Sequence, residues 1–258
     1  MSASKLFDVT GKHVIVTGGT RGIGKGIAQG FLENGCKVVL IGSNKARLEE
    51  TVKGFQDQGY DAHAVTADLA ELEEMDRAFA ESMEILDGVL DVFVPCAGVQ
   101  YRSTPEDFPI DKFIWIQKVN VLHCYRMAQL SIQVMLKQKD RGRGKIILIG
   151  SLGSFTAGHN ISAYACSKGA VAMMTKALAE SVAGRGINVN MLAPGYIKTE
   201  IWQTMDEDRK AHLADRIPMG RIGDLDDMVG PALFLASKAS DFVNGELLVA
   251  DGGQNAIH

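Results

Sequence analysis

His13-Val14-Ile15-Val16-Thr17-Gly18-Gly19-Thr20-Arg21-Gly22-Ile23-Gly24 passes from a short β-branched run into a glycine-rich turn, and a helical pattern opens near Gly22. Glycines at such a turn let the backbone bend sharply and approach a pyrophosphate, which the free N–H groups of the helix N-terminus can bind. The spacing Gly18, Gly22, Gly24 is G-x-x-x-G-x-G, not the commoner fingerprint G-x-G-x-x-G. Gly19, Gly24 and Lys25 also fit the G-x-x-x-x-G-K of a P-loop, but the next residue, Gly26, has no hydroxyl to hold a magnesium ion. A glycine-rich turn without a ligand stays open as the plainer reading of the motif alone.

Outward from this stretch, short β-branched runs alternate with longer segments of helical periodicity, the pattern of repeated βαβ units around a parallel sheet. The expected strands are His13–Thr17, Lys37–Ile41, Ala62–Thr66, Val89–Val94, Lys145–Ile149, Asn188–Leu192 and Leu247–Val249, with helices between them as over Arg47–Gln58. The fold expected is α/β, a single Rossmann-type doubly wound parallel sheet of about seven strands flanked by helices. No Pro/Ser-rich linker or internal repeat divides the chain, and of the prolines only Pro231 falls in a clear helical pattern, so residues 1–258 are expected to form one domain. The stretch from Tyr196 to Gly223 lacks clear strand character and carries Trp202, Met205 and the mixed-charge segment Asp206 to Arg216. Such an insertion beside a sheet is expected to act as a lid over a site.

Composition sets outer bounds. The 258 residues are 46% hydrophobic and 22% charged, enough for a sizeable core. Lys plus Arg number 27 against 31 Asp plus Glu, a formal charge of -4 that offers no global attraction to nucleic acid or acidic membrane. Cys36, Cys96, Cys124 and Cys166 form no C-x-x-C pair, and the histidines form no H-x-x-x-H, so neither a disulfide framework nor a metal site is supported. No apolar run approaches the ~20 residues that span a bilayer, and Met1-Ser2-Ala3-Ser4-Lys5 lacks a signal-peptide core. A soluble, cytoplasmic chain without nucleic-acid or membrane partners is expected.

Tyr164-Ala165-Cys166-Ser167-Lys168 falls inside a helical pattern, which puts the tyrosine and lysine one turn apart on the same face. An ammonium beside a phenol favours the phenolate and draws it toward acid/base use. That spacing is common on helices by chance. Ser151 adds weight, because it ends an apolar strand 13 residues upstream of Tyr164, where parallel sheets place their ligand groups.

With Gly18, Gly22, Gly24, Asn120, Ser151, Tyr164 and Lys168 in this order, the sequence resembles the short-chain dehydrogenase/reductase family over essentially its whole length. Asp68-Leu69 and Pro194-Gly195-Tyr196-Ile197-Lys198-Thr199, a P-G-x-x-x-T, add to the resemblance. The resemblance implies Tyr164 as proton donor and acceptor, and Lys168 as the residue that binds the nicotinamide ribose and tunes Tyr164. It further implies Ser151 as the group that orients the substrate oxygen and Asn120 as support for a proton relay through water. It also implies a cofactor bed of Gly18, Thr20, Arg21, Gly22, Ile23, Gly24, Ser43, Asn44, Asp68, Leu69, Ala97, Gly98, Tyr164, Lys168, Pro194, Gly195, Ile197 and Thr199. Asp68 would contact adenine and Thr199 the carboxamide, and no metal is implied. A homo-oligomer, dimer or tetramer, is implied through the helices around Asn120 to Gln138 and Ser162 to Ala183.

One departure is plain. The family's N-N-A-G after the fourth strand is here Pro95-Cys96-Ala97-Gly98, read as altered support with Cys96 as a buried inert thiol. The second strand ends in Gly42-Ser43-Asn44, with no carboxylate to repel a 2′-phosphate, and Arg21 is near in the glycine turn. NADP(H) is therefore favoured, with NAD(H) left open.

Arg216 to Arg221, Gly230 to Ser237 and Asp241 to Gly245 look like sugar-acid dehydrogenases of the gluconate and deoxygluconate type. Arg102, Ser151, His159, Tyr196, Trp202 and Gln203 are candidates to meet a small-molecule substrate, and the guanidinium of Arg102 best suits a carboxylate. A 3-oxoacyl-thioester reductase is the alternative, for which the basic series Lys137, Lys139, Arg141, Arg143, Lys145 could serve as a carrier-binding entrance, although a solvated loop explains it better. A non-catalytic NADP-binding regulator is a third reading, opposed by the complete Ser/Tyr/Lys/Asn set.

Overall fold

The computed structural model describes residues 2–138, 141–200, 207 and 213–257. In chain order the elements are α1 (Ala3–Leu6), β1 (His13–Thr17), α2 (Gly22–Glu33), β2 (Lys37–Gly42), α3 (Lys45–Gln56), β3 (Ala62–Thr66) and α4 (Leu72–Ile85). They continue with β4 (Val92–Pro95), α5 (Ile110–Gln117), a π-turn (Lys118–Leu122), α6 (His123–Met135), β5 (Gly144–Ile149), α7 (Ser162–Val182), β6 (Ile187–Pro194), α8 (Asp226–Ala236) and β7 (Leu247–Ala250).

Side chains on β1 alternate as a pleat requires: Val14 and Val16 enter one apolar cluster and Ile15 the other, all fully buried. Burial on both faces needs helices on both sides. Ile27 and Phe31 of α2, Leu48 and Val52 of α3, and Met228 and Leu235 of α8 cover one face, while Met75 and Phe79 of α4, Met127 of α6 and Val171 of α7 cover the other. Each fully buried side chain such as Phe31, Leu48 or Phe93 contributes about 1.5–3 kcal/mol relative to exposure.

The seven strands are all parallel in the order β3-β2-β1-β4-β5-β6-β7. The chain steps outward from β1 to β3, then crosses back to build β4 to β7 on the other side. That reversal leaves a crevice at the carboxyl ends of β1 and β4, where open α/β sheets bind ligands.

The expected strands are all present, β1 and β3 at the expected bounds and the others with shifted ends. β4 starts at Val92, not Val89, because Asp87 (φ 55°) and Gly88 (φ 74°) turn the chain out of α4, and Gln138 holds both the N–H and the carbonyl of Leu90. β6 runs on to Pro194, which pairs with Ala250 of β7. The helix expected at Arg47 starts at Lys45, since the Asn44 side chain accepts the Arg47 N–H at 2.9 Å and caps it. The stretch from Tyr196 to Gly223 is not wholly irregular: Ile197 bridges Gly223, with Lys198 N donating to Gly223 O and Gly223 N to Tyr196 O.

Candidate active site

Three chain segments meet at the crevice because glycine leaves room for them. A Cβ on Gly18 would lie 2.7 Å from Ala97 Cα, and its φ of 66° is left-handed, so the turn after β1 can rest on the loop after β4 only with glycine there. On Gly24 a Cβ would lie 2.4 Å from the Gly18 carbonyl, and on Gly22 it would meet the Thr199 methyl at 3.2 Å. Gly18, Gly22, Gly24, Ala97 and Thr199 are thereby brought together. Arg21, in the N-cap position of α2, makes no side-chain cap, so the first N–H groups of that helix are left facing the cradle. These residues fit a dinucleotide pyrophosphate.

Along the rim, the Thr20 methyl lies 3.6 Å from where a Gly42 Cβ would be, which sets Arg21 near Ser43 at the end of β2. Both Arg21 and Ser43 are exposed. Asn44 spends its side-chain oxygen on capping α3. Asp68 is exposed and accepts the Ala70 N–H at 2.9 Å, while Leu69 is buried.

Catalytic candidates gather where β5 meets α7. Lys168, 6% exposed, donates from Nζ to the Ile149 carbonyl at 2.8 Å, and Nζ lies 5.7 Å from the Tyr164 ring centroid. Ser151 opens a 3₁₀ turn (Leu152–Ser154) through a reciprocal cap, its Oγ accepting the Gly153 N–H at 3.1 Å and its own N–H donating to Ser154 Oγ. Ser154 Oγ donates onward to the Lys168 carbonyl at 2.9 Å. A Cβ at Gly153 would lie 3.3 Å from Tyr164 Cε1 and 3.6 Å from Ser151 Oγ, so both side chains flank the same glycine.

Asn120 is fully buried within the π-turn, and its side chain is wholly engaged. Nδ2 donates to Val99 O at 3.0 Å and to Ser167 Oγ at 2.9 Å, while Oδ1 accepts the Val99 N–H at 2.8 Å. This side chain therefore braces the loop after β4, and any water relay at Asn120 has the main chain to work from. The brace also accounts for Pro95-Cys96: with no asparagine there, Asn120 holds Val99 and Thr17 Oγ1 accepts the Ala97 N–H at 3.2 Å. Cys96 is half-buried, not fully buried as expected, yet desolvation pushes its thiol up to about 12, consistent with an inert thiol. The π-turn, Ser154 and Ser167 were missed from sequence, although Ser151-Leu152-Gly153-Ser154 has the spacing of a reciprocal cap.

Arg102 and His159 are both exposed and adjacent, with Arg102 Nη1 donating to the His159 carbonyl at 3.2 Å. Tyr196 instead lines a cavity of about 160 Å³ with Ile197, Arg221 and Asp251, apart from those two. Pro194 ends β6, and a Cβ on the following Gly195 would lie 2.6 Å from Asp251 Cβ. Trp202 and Gln203 lie outside the described residues. Among the described residues no cluster of His, Cys, Asp and Glu could hold a metal ion.

A dinucleotide cradle beside a Ser-Tyr-Lys set defines the class, an oxidoreductase acting on CH–OH groups. A family model described as enoyl-(acyl carrier protein) reductase matches residues 18–255. The 2-dehydro-3-deoxy-D-gluconate 5-dehydrogenase of Bacillus subtilis is 40% identical over 249 residues, 96% of each chain. A gluconate 5-dehydrogenase from Burkholderia cenocepacia, solved with NADP and tartrate, is 37% identical with a TM-score of 0.91, covering 99% of both chains. More distantly, a 3-oxoacyl-[acyl-carrier-protein] reductase of Chlamydia pneumoniae is 32% identical over 248 residues, 95% of this chain and 98% of that one. The chain belongs to the short-chain dehydrogenase/reductase family.

Tyr164→Phe removes the phenol and little else, so turnover should fall by about 100-fold or more while dinucleotide affinity, read by calorimetry, changes little. Lys168→Ala should injure both. Retention of a tenth of the wild-type rate by Tyr164→Phe would assign the proton to another group.

Proposed function

We propose that the protein interconverts a secondary alcohol and a ketone on a sugar acid, with NADP(H) as cofactor. The observation that carries this reading is the Arg102 guanidinium, exposed and joined to the His159 loop, on the chain that also sets Ser151 beside Tyr164. A guanidinium offers a planar fork of donors to a carboxylate. The gluconate-type names of the relatives agree with it.

In this reading the Ser151 hydroxyl hydrogen-bonds the substrate oxygen and Tyr164 exchanges a proton with it. The Lys168 ammonium lies 5.7 Å from the Tyr164 ring centroid and so puts a positive charge beside the phenol. Bound nicotinamide supplies the hydride chemistry. In the oxidative direction Tyr164 takes the proton of the substrate hydroxyl, and in the reductive direction it returns a proton to the carbonyl oxygen.

A preference for NADP(H) over NAD(H) is supported by the lack of a carboxylate in Gly42-Ser43-Asn44 and by the exposed Arg21. Exposed Ile110, Ile114, Tyr125 and Met173 on α5, α6 and α7 support a homo-oligomer through those helices. No helix among the described residues is long and apolar enough to cross a membrane. The 3-oxoacyl-thioester alternative loses its carrier-binding argument, because Lys145 lies at the amino end of β5, the end of the sheet away from Tyr164.

A screen of sugar acids, polyols and oxoacyl thioesters with both cofactors should give turnover with a sugar acid and NADP(H), and Ser43→Asp should swing preference toward NAD(H) through like charge. Turnover confined to thioesters, or a clear NADH preference in the wild type, contradicts it.

The segment from Tyr196 to Gly223, of which residues 201–206 and 208–212 lie outside the described residues, is proposed as a lid, and Ile197 and Gly223 near its two ends form a bridge. Hydrogen exchange across the segment should slow when NADP and a substrate are both bound, as closure excludes water from the hydride path. Equal, strong protection with and without ligands would make it a rigid wall.

A further inference from the structure

The basic series before β5 does not serve the catalytic end. Arg141 Nη2 reaches Asp91 at 2.7 Å, and Lys145, 2% exposed, reaches Asp241 at 2.8 Å. Both contacts lie at the amino ends of the strands, a strand length of roughly 17–20 Å from the carboxyl ends. There, Lys5, Asp8, Lys12, Asp91, Arg141 and Lys238 line an open recess of about 310 Å³. Small-molecule pockets start at roughly that size, about 300–1,000 Å³.

The charge in this recess is unbalanced. Asp91, 4% exposed, is fully engaged: Oδ2 accepts the His13 N–H at 2.8 Å and an Arg141 N–H, and Oδ1 accepts another from Arg141. That pair cancels. Lys5, Lys12 and Lys238 make no ion pair among the described residues and line the recess with Asp8, whose carboxylate feels the charge of Lys238 and Lys12. Asp8 itself is held by the Thr10 N–H at 2.9 Å, and its carboxyl is lowered chiefly by that bond, with Lys238 and Lys12 helping. Behind the wall, Lys12 and Arg143 both repel the buried Lys145 ammonium. A chain of formal charge -4 thus concentrates positive charge around one recess. At Gly11 a Cβ would meet nothing within 4 Å, so the recess is open beside the backbone.

We propose that this recess binds a compact di- or trianion, a phosphate-bearing or polycarboxylate metabolite, at a site separate from the dinucleotide crevice. Lys12 and Lys238 neutralise it, Lys5 of α1 adds a third positive charge to the lining, and Arg141 stays paired with Asp91. The multivalent charge matters, because a monovalent ion in so open a recess is easily outcompeted by bulk salt.

The test uses the full chain saturated with NADP, so that the crevice is blocked, at constant ionic strength set with potassium chloride. Pyrophosphate and citrate are the two probes, and a preference for one distinguishes a phosphate from a carboxylate source. Equilibrium dialysis should show saturable binding near one anion per chain, with a matching rise in melting temperature. Lys12→Gln/Lys238→Gln should weaken binding by about tenfold or more, with basal turnover and far-ultraviolet circular dichroism unchanged, whereas Lys176→Gln on α7 should bind as the wild type does. Failure of both probes to bind overturns the proposal. So does binding that NADP displaces, that chloride reproduces, or that the double variant retains in full.

Discussion

The hydrogen bond from buried Lys168 Nζ to the Ile149 carbonyl, 2.8 Å long, sets the geometry on which the catalytic end depends. An ammonium withdrawn from water is costly unless hydrogen-bonded, so its burial and this bond require each other. Ser151 lies just beyond Ile149, and Tyr164 one turn before Lys168, so docking α7 on the end of β5 brings the serine hydroxyl and the tyrosine ring to the same glycine. Ser154 Oγ donates to the carbonyl of the same lysine, a second tie between the end of β5 and α7.

From that junction a chain of hydrogen bonds runs back through the crevice. Ser167 receives Asn120, Asn120 clamps Val99, and Thr17 holds Ala97, so α7, the π-turn, the loop after β4 and the end of β1 form one connected wall. The replacement of the usual asparagines by Pro95-Cys96 is tolerable for this reason, since the loop is held from its far side. Opposite this wall, at the amino ends of the strands, the same parallel sheet collects Lys12 and the residues flanking β5 into a basic recess. One sheet direction thus separates two kinds of chemistry by a strand length.

Much of the fold is legible in the sequence because local pattern decides it. Strands buried on both faces read as β-branched runs, the glycine turn needs residues without Cβ, and Tyr164 and Lys168 share a helix face by spacing alone. Legibility ends where partners are distant in the chain. The π-turn has no residue signature, so the bracing role of Asn120 became visible only with Val99 and Ser167 beside it. The basic series read as a solvated loop because Asp91 and Asp241, which absorb two of its charges, come from other parts of the chain. The start of β4 was placed too early because Leu90 is apolar and buried, yet bonds to Gln138 instead of a strand.

If Tyr164 and Ser151 manage the oxygen of a sugar-acid carbonyl while hydride arrives from NADPH, the product itself carries the record. NADPH deuterated at either face of nicotinamide C4 is mixed with a 5-keto sugar acid, and the product is read by mass spectrometry. Deuterium should appear on the new carbinol carbon from one face alone, and that product should be lost with Tyr164→Phe. A reduced product without deuterium from either face, or transfer by Tyr164→Phe at the wild-type rate, would contradict this mechanism.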